Sequence, residues 1–339
     1  MEHPNGTMAW LATPDDRVVI GHGPFTESDE PPAEGVAFHV QDFALTDPRP
    51  WKIPASIVRT NRLDAVGELS ESPHPVVEWQ APDAAPFSVI FQEVMAAIHS
   101  GVFEKTVPVV TETGTAEFSP QAMITAAMLK QGAPLHSYGW IQHGRGFAGA
   151  TPECLFSLDG KQLTTMALAG TARSDDRVAF AADEKEIREH EYVAQTLVSK
   201  LQDLGIIERS ERAILDLGSI VHFLTHIRVA LHEPGIASQL VRRLHPTPAL
   251  GPHPRTGETL AQLIRWRDRS ACPSAFGAPF GLWDHGKFRA VVAIRGIWWQ
   301  ENRLSLPAGC GVIEASRLVS EWRELRLKRE AVKRFLPQA

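Results

Sequence analysis

The sequence predicts an α+β protein, and three observations lead to that class. Segments with strand-like alternation and segments with helical periodicity come in mixed order, without the regular alternation that predicts a parallel sheet. The dipeptide Asp159-Gly160 stands between two apolar segments, which is the strongest short signal for an antiparallel hairpin. Residues 1–80 are rich in Pro, Asp, Glu and Gly between short apolar runs, a pattern typical of short strands joined by turns.

The elements of the first third follow from these patterns. Short strands are predicted at residues 18–20 and 36–40. An amphipathic helix is predicted over residues 86–101, where the apolar residues recur at helical spacing. These residues are Val89, Phe91, Val94, Met95 and Ile98. The β-rich run 102–110 predicts another strand, which Pro108 should restrict to an edge or a bulge because proline lacks a backbone N–H.

The middle of the chain has the clearest signals. Residues 155–158 and 161–164 are predicted to be the two strands of the hairpin. The period then changes, and residues 183–204 predict a long helix that Gly205 should end. The apolar face of this helix is expected to comprise Ile187, Val193, Leu197, Leu201 and Leu204.

The last third predicts strands at residues 288–299 and 303–306. A final helix is predicted over residues 316–336, where one side is apolar. This inner side is expected to comprise Leu318, Trp322, Leu325, Val332 and Phe335.

Composition excludes several classes of protein. The 339 residues are 43% hydrophobic and 22% charged, which is ordinary for a globular chain. The net charge of −6 argues against a general nucleic-acid binder, which needs a basic excess to displace counterions from phosphate. The three cysteines are widely spaced, without a CxxC pair, so a reducing compartment is expected. With neither a signal peptide nor a long apolar segment, we expect a soluble cytoplasmic protein that is not bound to a membrane.

Two of the predicted helices carry the same pair of carboxylates. Glu186 and Glu189 are three residues apart on the first, and Glu321 and Glu324 are three apart on the second. Each pair projects from one helical face, and two such faces brought together would attract a hard cation. Magnesium suits such a site, because it binds through one or two carboxylates and takes its other ligands from water and substrate. Spacing alone also fits glutamates on a solvated surface.

Other motifs are less specific. His190 and His222 could each be a ligand or a proton carrier, and His222 in its apolar run is also typical of a hydrogen-bonded core histidine. The sequence has neither HExxH nor Cys/His spacing, which leaves zinc catalysis without support. It also lacks a GxGxxG fingerprint, a P-loop and a GxSxG elbow, so nucleotide binding and serine hydrolysis are not indicated.

Several short segments, taken together in their order along the chain, resemble the chorismate-utilising enzymes. This family comprises anthranilate, aminodeoxychorismate, isochorismate and salicylate synthases, and the resemblance runs from about residue 86 to residue 336. The segments that carry it are GATPE at 149–153, LAGT at 168–171, EIREH at 186–190, VHFLT at 221–225, LHPTPALG at 244–251, AIR at 293–295, AGCGVI at 308–313 and EWRELRLK at 321–328.

The resemblance implies a single large α+β domain in which antiparallel sheets pack face to face with flanking helices. Residues 81–339 would be the chorismate-binding catalytic part, and residues 1–80 a divergent N-terminal part of the same domain. It further implies that Glu189 and Glu324 bind Mg²⁺, with Glu186 and Glu321 supporting it through water.

The resemblance also implies roles for substrate-binding residues. Arg295 and Lys328 would bind the carboxylates of the dianion chorismate, Arg295 as a planar bidentate donor. His222 would also contact the substrate, and backbone amides around Gly170, Thr171, Gly309 and Gly311 would complete the anion pocket.

Two further residues correspond to the acid and the base of the family reaction, in which a nucleophile adds at ring C2 and the C4 hydroxyl leaves. Glu153 resembles the acid that protonates the departing hydroxyl, so its pKa must be raised by burial or by neighbouring carboxylates. Lys105 resembles the lysine that activates water in members that use water, and it must be neutral to act as a base.

The choice within the family depends on three residues. Ala249, Leu250 and Phe276 are similar to isochorismate synthases, so we expect an isomerase that forms isochorismate for salicylate, siderophore or menaquinone synthesis. A glutamine amidotransferase subunit is not expected, and the chain should be a monomer that acts on the small molecule chorismate. A salicylate synthase, another chorismate-converting member and a chorismate-binding protein without turnover are the alternatives. Pro108 and Pro273 depart from the family pattern and favour a reshaped substrate loop.

Overall fold

One ladder of antiparallel strands organises the chain. The structure, a computed structural model, describes residues 6–67 and 74–337. Its strands are β1 (Met8–Ala12), β2 (Val18–Ser28), β3 (Val36–Val40), β4 (Trp51–Thr60), β5 (Val77–Gln80), β6 (Val109–Ala116), β7 (His136–Gln142), β8 (Arg145–Thr151), β9 (Cys154–Asp159), β10 (Gln162–Arg173), β11 (Gly205–Arg209), β12 (Ala213–Asp216), β13 (Ile220–Leu231), β14 (Pro279–Asp284), β15 (Lys287–Val292), β16 (Gly296–Gln300) and β17 (Arg303–Gly309).

Helices connect and cover these strands. They are α1 (Arg62–Gly67), α2 (Ala84–His99), α3 (Gln121–Leu129), α4 (Arg177–Phe180), α5 (Glu184–Leu201), α6 (Ala237–Leu244), α7 (Gly257–Arg269) and α8 (Leu318–Lys333). A short 3₁₀ turn at Ser174–Asp176 precedes α4.

The strand pairings run through the ladder in an order unlike the sequence order. From one end the order is β5, β6, β17, β16, β8, β7, β1, β2, β4, β3, β14, β15, β9, β10 and β13. Strands β11 and β12 both pair with the outer side of β13. Every one of these pairings is antiparallel, as an α+β class requires.

The ladder folds over, so that the half that contains β7 and β8 packs face to face against the half that contains β14. Phe280 on β14 lies 5.6 Å, centroid to centroid, from Tyr138 on β7 and 5.9 Å from Phe147 on β8. These strands stand far apart along the ladder, so the rings can meet only across two facing sheets. The expected class, α+β with large antiparallel sheets packed face to face, is confirmed.

Helices cover the outer faces of the two halves. On one half, Trp10, Ile20 and Ile297 form an apolar cluster with Met128 from α3 and Val332 from α8. On the other half, α5 lies along β10 and β13 and buries its apolar face there. Helix α8 also approaches β10, β13 and β17, so it meets α5 where the two halves come together.

The predicted N-terminal elements are largely present. Strand β3 matches residues 36–40, and β2 begins at residue 18 but continues well beyond residue 20. Helix α2 confirms the helix predicted at 86–101 and begins two residues earlier, because Asp83 accepts a hydrogen bond from the Ala85 N–H. Val89 is exposed and does not belong to its buried face.

The strand predicted at 102–110 is wrong over most of its length. Strand β6 begins only at residue 109, and the residues before it form two isolated bridges, Lys105 with His253 and Thr106 with Val312. Pro108 therefore lies just outside the ladder, where its missing N–H costs no ladder bond and its carbonyl accepts a hydrogen bond from the Cys310 N–H.

The predicted hairpin forms between β9 and β10, but its turn is one residue further along than the sequence suggested. Asp159 pairs with Gln162, which leaves Gly160 and Lys161 in the loop. Gly160 has a φ of +57°, which favours glycine at the first loop position. Helix α5 confirms the long helix, but it ends at residue 201, and Gly205 starts β11 instead of closing the helix.

The strand predicted at 288–299 is two strands, β15 and β16, separated by residues 293–295. The break occurs at Arg295, whose φ of +55° is incompatible with a continuing strand. Strand β17 confirms the prediction at 303–306, and α8 confirms the final helix over residues 318–333.

The first 80 residues are joined to the rest by the ladder itself. Strand β1 pairs with β7 and β3 pairs with β14, so the described residues of this stretch belong to both halves of the fold. The division at residue 80 into a divergent part and a catalytic part stays a prediction. Within residues 6–67 and 74–337, no helix is both long and apolar enough to cross a membrane.

Candidate active site

A cavity opens where α5 and α8 meet the ends of β10, β13 and β17. Its lining residues enclose about 640 Å³ of space free of protein atoms, part of which is open solvent. Twelve of the predicted site residues line it: Glu153, Gly170, Thr171, Glu189, His222, Ala249, Leu250, Phe276, Arg295, Gly309, Gly311 and Lys328. The other four, Lys105, Glu186, Glu321 and Glu324, are not among the lining residues. The glutamates of α5 and α8, described below, form what we call the acidic wall.

Helix α5 brings its polar residues into the interior at its first two turns. Asp183 caps the helix by accepting a hydrogen bond from the Glu186 N–H. Glu186, Glu189 and His190 are buried together with the apolar face, although the helix is rich in charge. His190 bonds to Thr225 Oγ1 at 2.9 Å through Nε2, and burial lowers its pKa to about 4, so it is a neutral core residue.

Helix α8 supplies the opposing carboxylates. Glu321 is 1% exposed, and neither of its carboxylate oxygens accepts a hydrogen bond of normal geometry from a described residue. Glu324 lies one turn further, where Lys328 Nζ approaches its Oε1 at 2.5 Å and also donates to the Gly309 carbonyl at 2.8 Å. The two helices thus present four glutamates to one region.

A lysine that the sequence analysis did not single out stands among these glutamates. Lys185 Nζ lies 2.7 Å from Glu186 Oε1, 3.4 Å from Glu189 Oε2 and 3.2 Å from Glu321 Oε1. A lysine four residues before a glutamate is an ordinary surface pair in a sequence, so the pattern carried no signal. Only the approach of α8 makes this ammonium the centre of a buried cluster.

The pKa values in the cluster follow from burial and from the neighbouring charges. Burial and the nearby Glu189 raise the pKa of Glu186, and burial and the nearby Glu324 raise the pKa of Glu321. Burial also opposes ionisation of Glu189, but the ammonium groups of Lys105 and Lys185 outweigh it and lower the pKa of that carboxyl. Glu189 is therefore the carboxylate with the firmest negative charge.

Lys105 lies directly behind Glu189. Its side chain is fully buried, with Nζ 3.2 Å from Glu189 Oε1 and 2.5 Å from the Pro248 carbonyl. Gly311 makes this arrangement possible, since a Cβ built there would lie 1.9 Å from Glu189 Oε1 and 2.9 Å from Lys105 Cε. Lys105 is thus held beside Glu189 by a buried ion pair.

Glu153 lies in the turn between β8 and β9, on the cavity wall. Burial raises its pKa to about 7, although Lys105, Lys328 and Arg295 partly oppose this shift. A carboxyl with that pKa is substantially protonated near neutral pH, which is the form a general acid needs.

Arg295 and His222 form a hydrogen-bonded pair. His222 Nδ1 donates to the Gly170 carbonyl at 2.7 Å, so its Nε2 is free to accept from Arg295 Nη2 at 2.8 Å. Burial and the adjacent Arg295 keep the pKa of His222 well below its usual range, and the ring is neutral. Arg295 Nη1 is buried without a hydrogen-bond partner among the described residues, and is available to a ligand anion.

Two of the backbone amides expected to bind an anion donate instead to acceptors within the protein. The Thr171 N–H donates to Glu186 Oε2 at 2.7 Å, and the Cys310 N–H donates to the Pro108 carbonyl. A bulge in β10 between Ala169 and Ala172 produces the first contact, with Gly170 at a φ of +75°. These two amides are therefore already taken by acceptors of the protein itself.

The apolar side of the cavity comprises Ala249, Leu250 and Phe276. A second residue without a sequence signal, Arg267, supports this side: its guanidinium lies 3.8 Å from the Phe43 ring centroid and donates to the Phe276 carbonyl. Arg267 belongs to α7 and is buried there. Pro273 accepts the Phe276 N–H in the same loop.

The four glutamates of α5 and α8 are suitable ligands for a hard divalent cation, but the ammonium group of Lys185 now lies among them. Carboxylate oxygens are the ligands that Mg²⁺ prefers, and the Glu321 oxygens, which accept no hydrogen bond from the described residues and have only the Lys185 ion pair, could bind a hydrated cation. In the described residues no three His, Cys, Asp or Glu side chains converge closely enough to hold a metal as they stand. The ammonium group of Lys185 occupies the space between them.

Comparison with known proteins identifies the family. A family model for chorismate-binding enzymes matches residues 52–337. The isochorismate synthases MenF of Bacillus subtilis and EntC of Escherichia coli are each 32% identical over 201 residues, which is 55% and 56% of this chain. The alignments cover 41% and 50% of those proteins, so the chain matches about half the length of these curated relatives.

The fold extends further than the sequence similarity. The structure of MenF, the menaquinone-specific isochorismate synthase from Escherichia coli, superposes with a TM-score of 0.81 at 19% identity. The superposition covers 99% of this chain and 90% of that one, which includes the strands of the first 80 residues.

Proposed function

This chain belongs to the family of chorismate-binding enzymes, and on that premise we propose that it converts chorismate to isochorismate with the help of Mg²⁺. In this reaction water adds at ring C2, the double bonds shift and the C4 hydroxyl leaves. The observation that carries the proposal is the buried Glu153, whose raised pKa suits it to protonate a leaving hydroxyl at neutral pH.

The proton balance needs a second residue. Lys105, as a neutral amine, takes a proton from the incoming water while Glu153 gives one to the departing hydroxide. Chorismate and isochorismate are isomers, so one water enters and one leaves. Afterwards a proton must pass from Lys105 back to Glu153, which resets both groups for the next turnover.

The charge of the substrate is matched by the cations of the cavity. Chorismate carries two carboxylates, and the unpartnered Nη1 of Arg295 supports a charge-assisted hydrogen bond to one of them. His222 acts as a positioning residue, since its neutral ring holds the guanidinium plane from behind. Lys328 supplies a second positive charge on the cavity wall.

Mg²⁺ would be held by Glu189 and Glu324, with Glu186 and Glu321 binding its water ligands. When bound, the ion offsets the charge of the acidic wall and so allows a substrate carboxylate to approach it. Glu186, Glu189 and Glu321 are themselves buried. Gly311 has no side chain, which leaves room for the Glu189 carboxylate against the backbone.

The product should be isochorismate, released without loss of pyruvate. Ala249 and Leu250 leave the apolar side of the cavity without a hydroxyl, and Phe276 there is a phenyl ring instead of a phenol. A side of this kind offers no group that would assist a further elimination. We further propose that the chain acts as a monomer in the cytoplasm and needs no subunit that supplies ammonia.

One assay tests the proposal. The protein is incubated with chorismate and Mg²⁺, and the products are separated by chromatography and identified by mass spectrometry. Isochorismate is expected. Salicylate with pyruvate would replace the proposal by a salicylate synthase, and binding of unchanged chorismate would indicate a binding protein.

Two variants connect the activity to the cavity. Glu153→Gln and Lys105→Ala should each reduce kcat by about 100-fold or more, because each removes one of the two proton-transfer groups. Glu301→Gln, in an exposed turn, is the matched control and should keep full activity. Near-normal turnover by either active-site variant, with circular dichroism showing an intact fold, would contradict the assignment.

A further inference from the structure

We propose that Lys185 is a built-in counter-ion of the acidic cluster, and that its ammonium group must leave before Mg²⁺ can bind. The inference rests on the proposed function, because it takes the four glutamates as the metal site. It adds a residue for which neither the motifs nor the comparisons suggested a role.

The contacts of Lys185 carry the argument. Its Nζ is within ion-pair distance of Glu186, Glu189 and Glu321, which belong to two different helices. A surface lysine pairs with one carboxylate and is worth little. Here three buried carboxylates share one ammonium, and it stands where the proposed metal would need to stand.

The position of Lys185 on its helix strengthens the case. It is the second residue of α5, and a cation in the first turn of a helix is opposed by the helix dipole. The surrounding carboxylates must outweigh that cost. Without Lys185, Lys105 and Lys328 would be the ammonium groups left beside four glutamates, and mutual repulsion would drive α5 and α8 apart.

Lys185 and Mg²⁺ therefore compete for the same oxygens. A compact divalent ion cannot share the centre of the cluster with an ammonium at 2.7 Å from Glu186, because both are cations that seek the same lone pairs. The side chain is 20% exposed, so rotation of its long stem offers the ammonium a route to solvent. The apparent affinity for Mg²⁺ is then lowered by the free energy needed to expel Lys185.

Amine footprinting reports this displacement directly in the wild-type protein. An acylating reagent is applied with and without saturating Mg²⁺, and labelling of each lysine is measured by peptide mass spectrometry. Labelling of Lys185 should rise severalfold with Mg²⁺, while Lys287, which is 67% exposed, should be unchanged. Labelling of Lys185 that stays the same or falls when Mg²⁺ binds would overturn the proposal.

Calorimetric titration with Mg²⁺ supplies the second readout. Lys185→Met keeps the apolar stem without the charge and should bind Mg²⁺ about tenfold more tightly, or better. Lys185→Arg keeps the charge and should bind no more tightly than wild type. The methionine variant should also melt at a lower temperature than wild type in EDTA and regain stability when Mg²⁺ is added.

The outcomes separate the two proposals. If wild type binds no Mg²⁺, or if Glu324→Ala binds it as well as wild type, the metal site of the proposed function is wrong. If wild type binds Mg²⁺ and Glu324→Ala does not, but Lys185→Met binds no more tightly, only the role of Lys185 is wrong. Should Lys185→Met fail to fold, the footprint of the wild-type protein decides the question.

Discussion

At the scale of single residues, the cavity works by placing ionisable groups where water cannot stabilise their charge. Glu153 is 4% exposed, and burial outweighs three nearby cations in setting its pKa. Arg295 Nη1 is likewise buried and has no hydrogen-bond partner among the described residues, so in the proposed function both groups are in place before the substrate arrives.

The first prediction concerns pH. In the proposed mechanism Glu153 is the acid, so activity needs its protonated form, which is the major form below its pKa of about 7. The value of kcat/KM should therefore fall by about tenfold per pH unit above that point. Initial rates with chorismate at saturating Mg²⁺ measure this profile. A profile that stays flat well into the alkaline range would rule out Glu153 as the acid.

The second prediction concerns the space beside Glu189. Gly311→Ala places a methyl group against Glu189 Oε1, so the carboxylate must move away from both Lys105 and the metal site. We expect kcat to fall by about 100-fold or more. Gly132→Ala is the control, because a Cβ there meets nothing within 4 Å. Equal activities of the two variants would show that the position of Glu189 is unimportant.

The candidate site could be predicted from the sequence to the extent that short ordered motifs carried it. Those motifs supplied eleven of the twelve predicted residues that line the cavity, all but Phe276, and they left out the roles of Lys185 and Arg267. Both omissions have one physical cause. A charged residue on an amphipathic helix looks solvated until a distant segment covers it, and nothing local in a sequence reports that cover.

At the scale of elements, α8 is the part on which the site most depends, because it carries Glu321, Glu324 and Lys328. Its far end is fastened to β6 by Glu112, which is 4% exposed. Arg329 Nε donates to Glu112 Oε2 at 3.0 Å, and Lys333 Nζ donates to Oε1 at 2.5 Å. This buried triad fixes the rotation of the helix about its own axis.

The third prediction tests that fastening. Glu112→Gln leaves a buried arginine without its counter-charge and should lower the free energy of unfolding by about 3 to 5 kcal/mol. Glu330→Gln removes a half-exposed partner of Lys333 and should change it by less than about 1 kcal/mol. Urea denaturation of both variants measures the difference. Similar small losses would mean that the triad is not a structural anchor.

Hydrophobic periodicity predicted an element correctly where the apolar residues of a segment fall on one face of one helix. Helices α2, α5 and α8 were found because each buries one apolar stripe. The break between β15 and β16 was missed, since residues 288–299 are mostly apolar and the turn depends on a positive φ at Arg295. The segment before β6 was missed because its partners, His253 and Val312, are distant in the sequence.

At the scale of the whole molecule, the face-to-face halves of the ladder explain how distant motifs form one site. Glu153 follows β8 in one half, and Gly170 lies in β10 of the other. Closure of the ladder brings their ends together beneath α5 and α8. The fold class could be predicted from the mixed order of elements, whereas the pairing order could not, because strand neighbours depend on contacts across the entire chain.

The central claim is that the enzyme adds a water molecule to chorismate, with Glu153 expelling the C4 hydroxyl. The most direct test is to run the conversion in ¹⁸O-labelled water and to measure the mass of the isochorismate formed. The account predicts that each molecule of isochorismate gains one heavy oxygen, located at C2. Isochorismate that forms without the label would mean that the hydroxyl migrates within the substrate, and it would contradict the account.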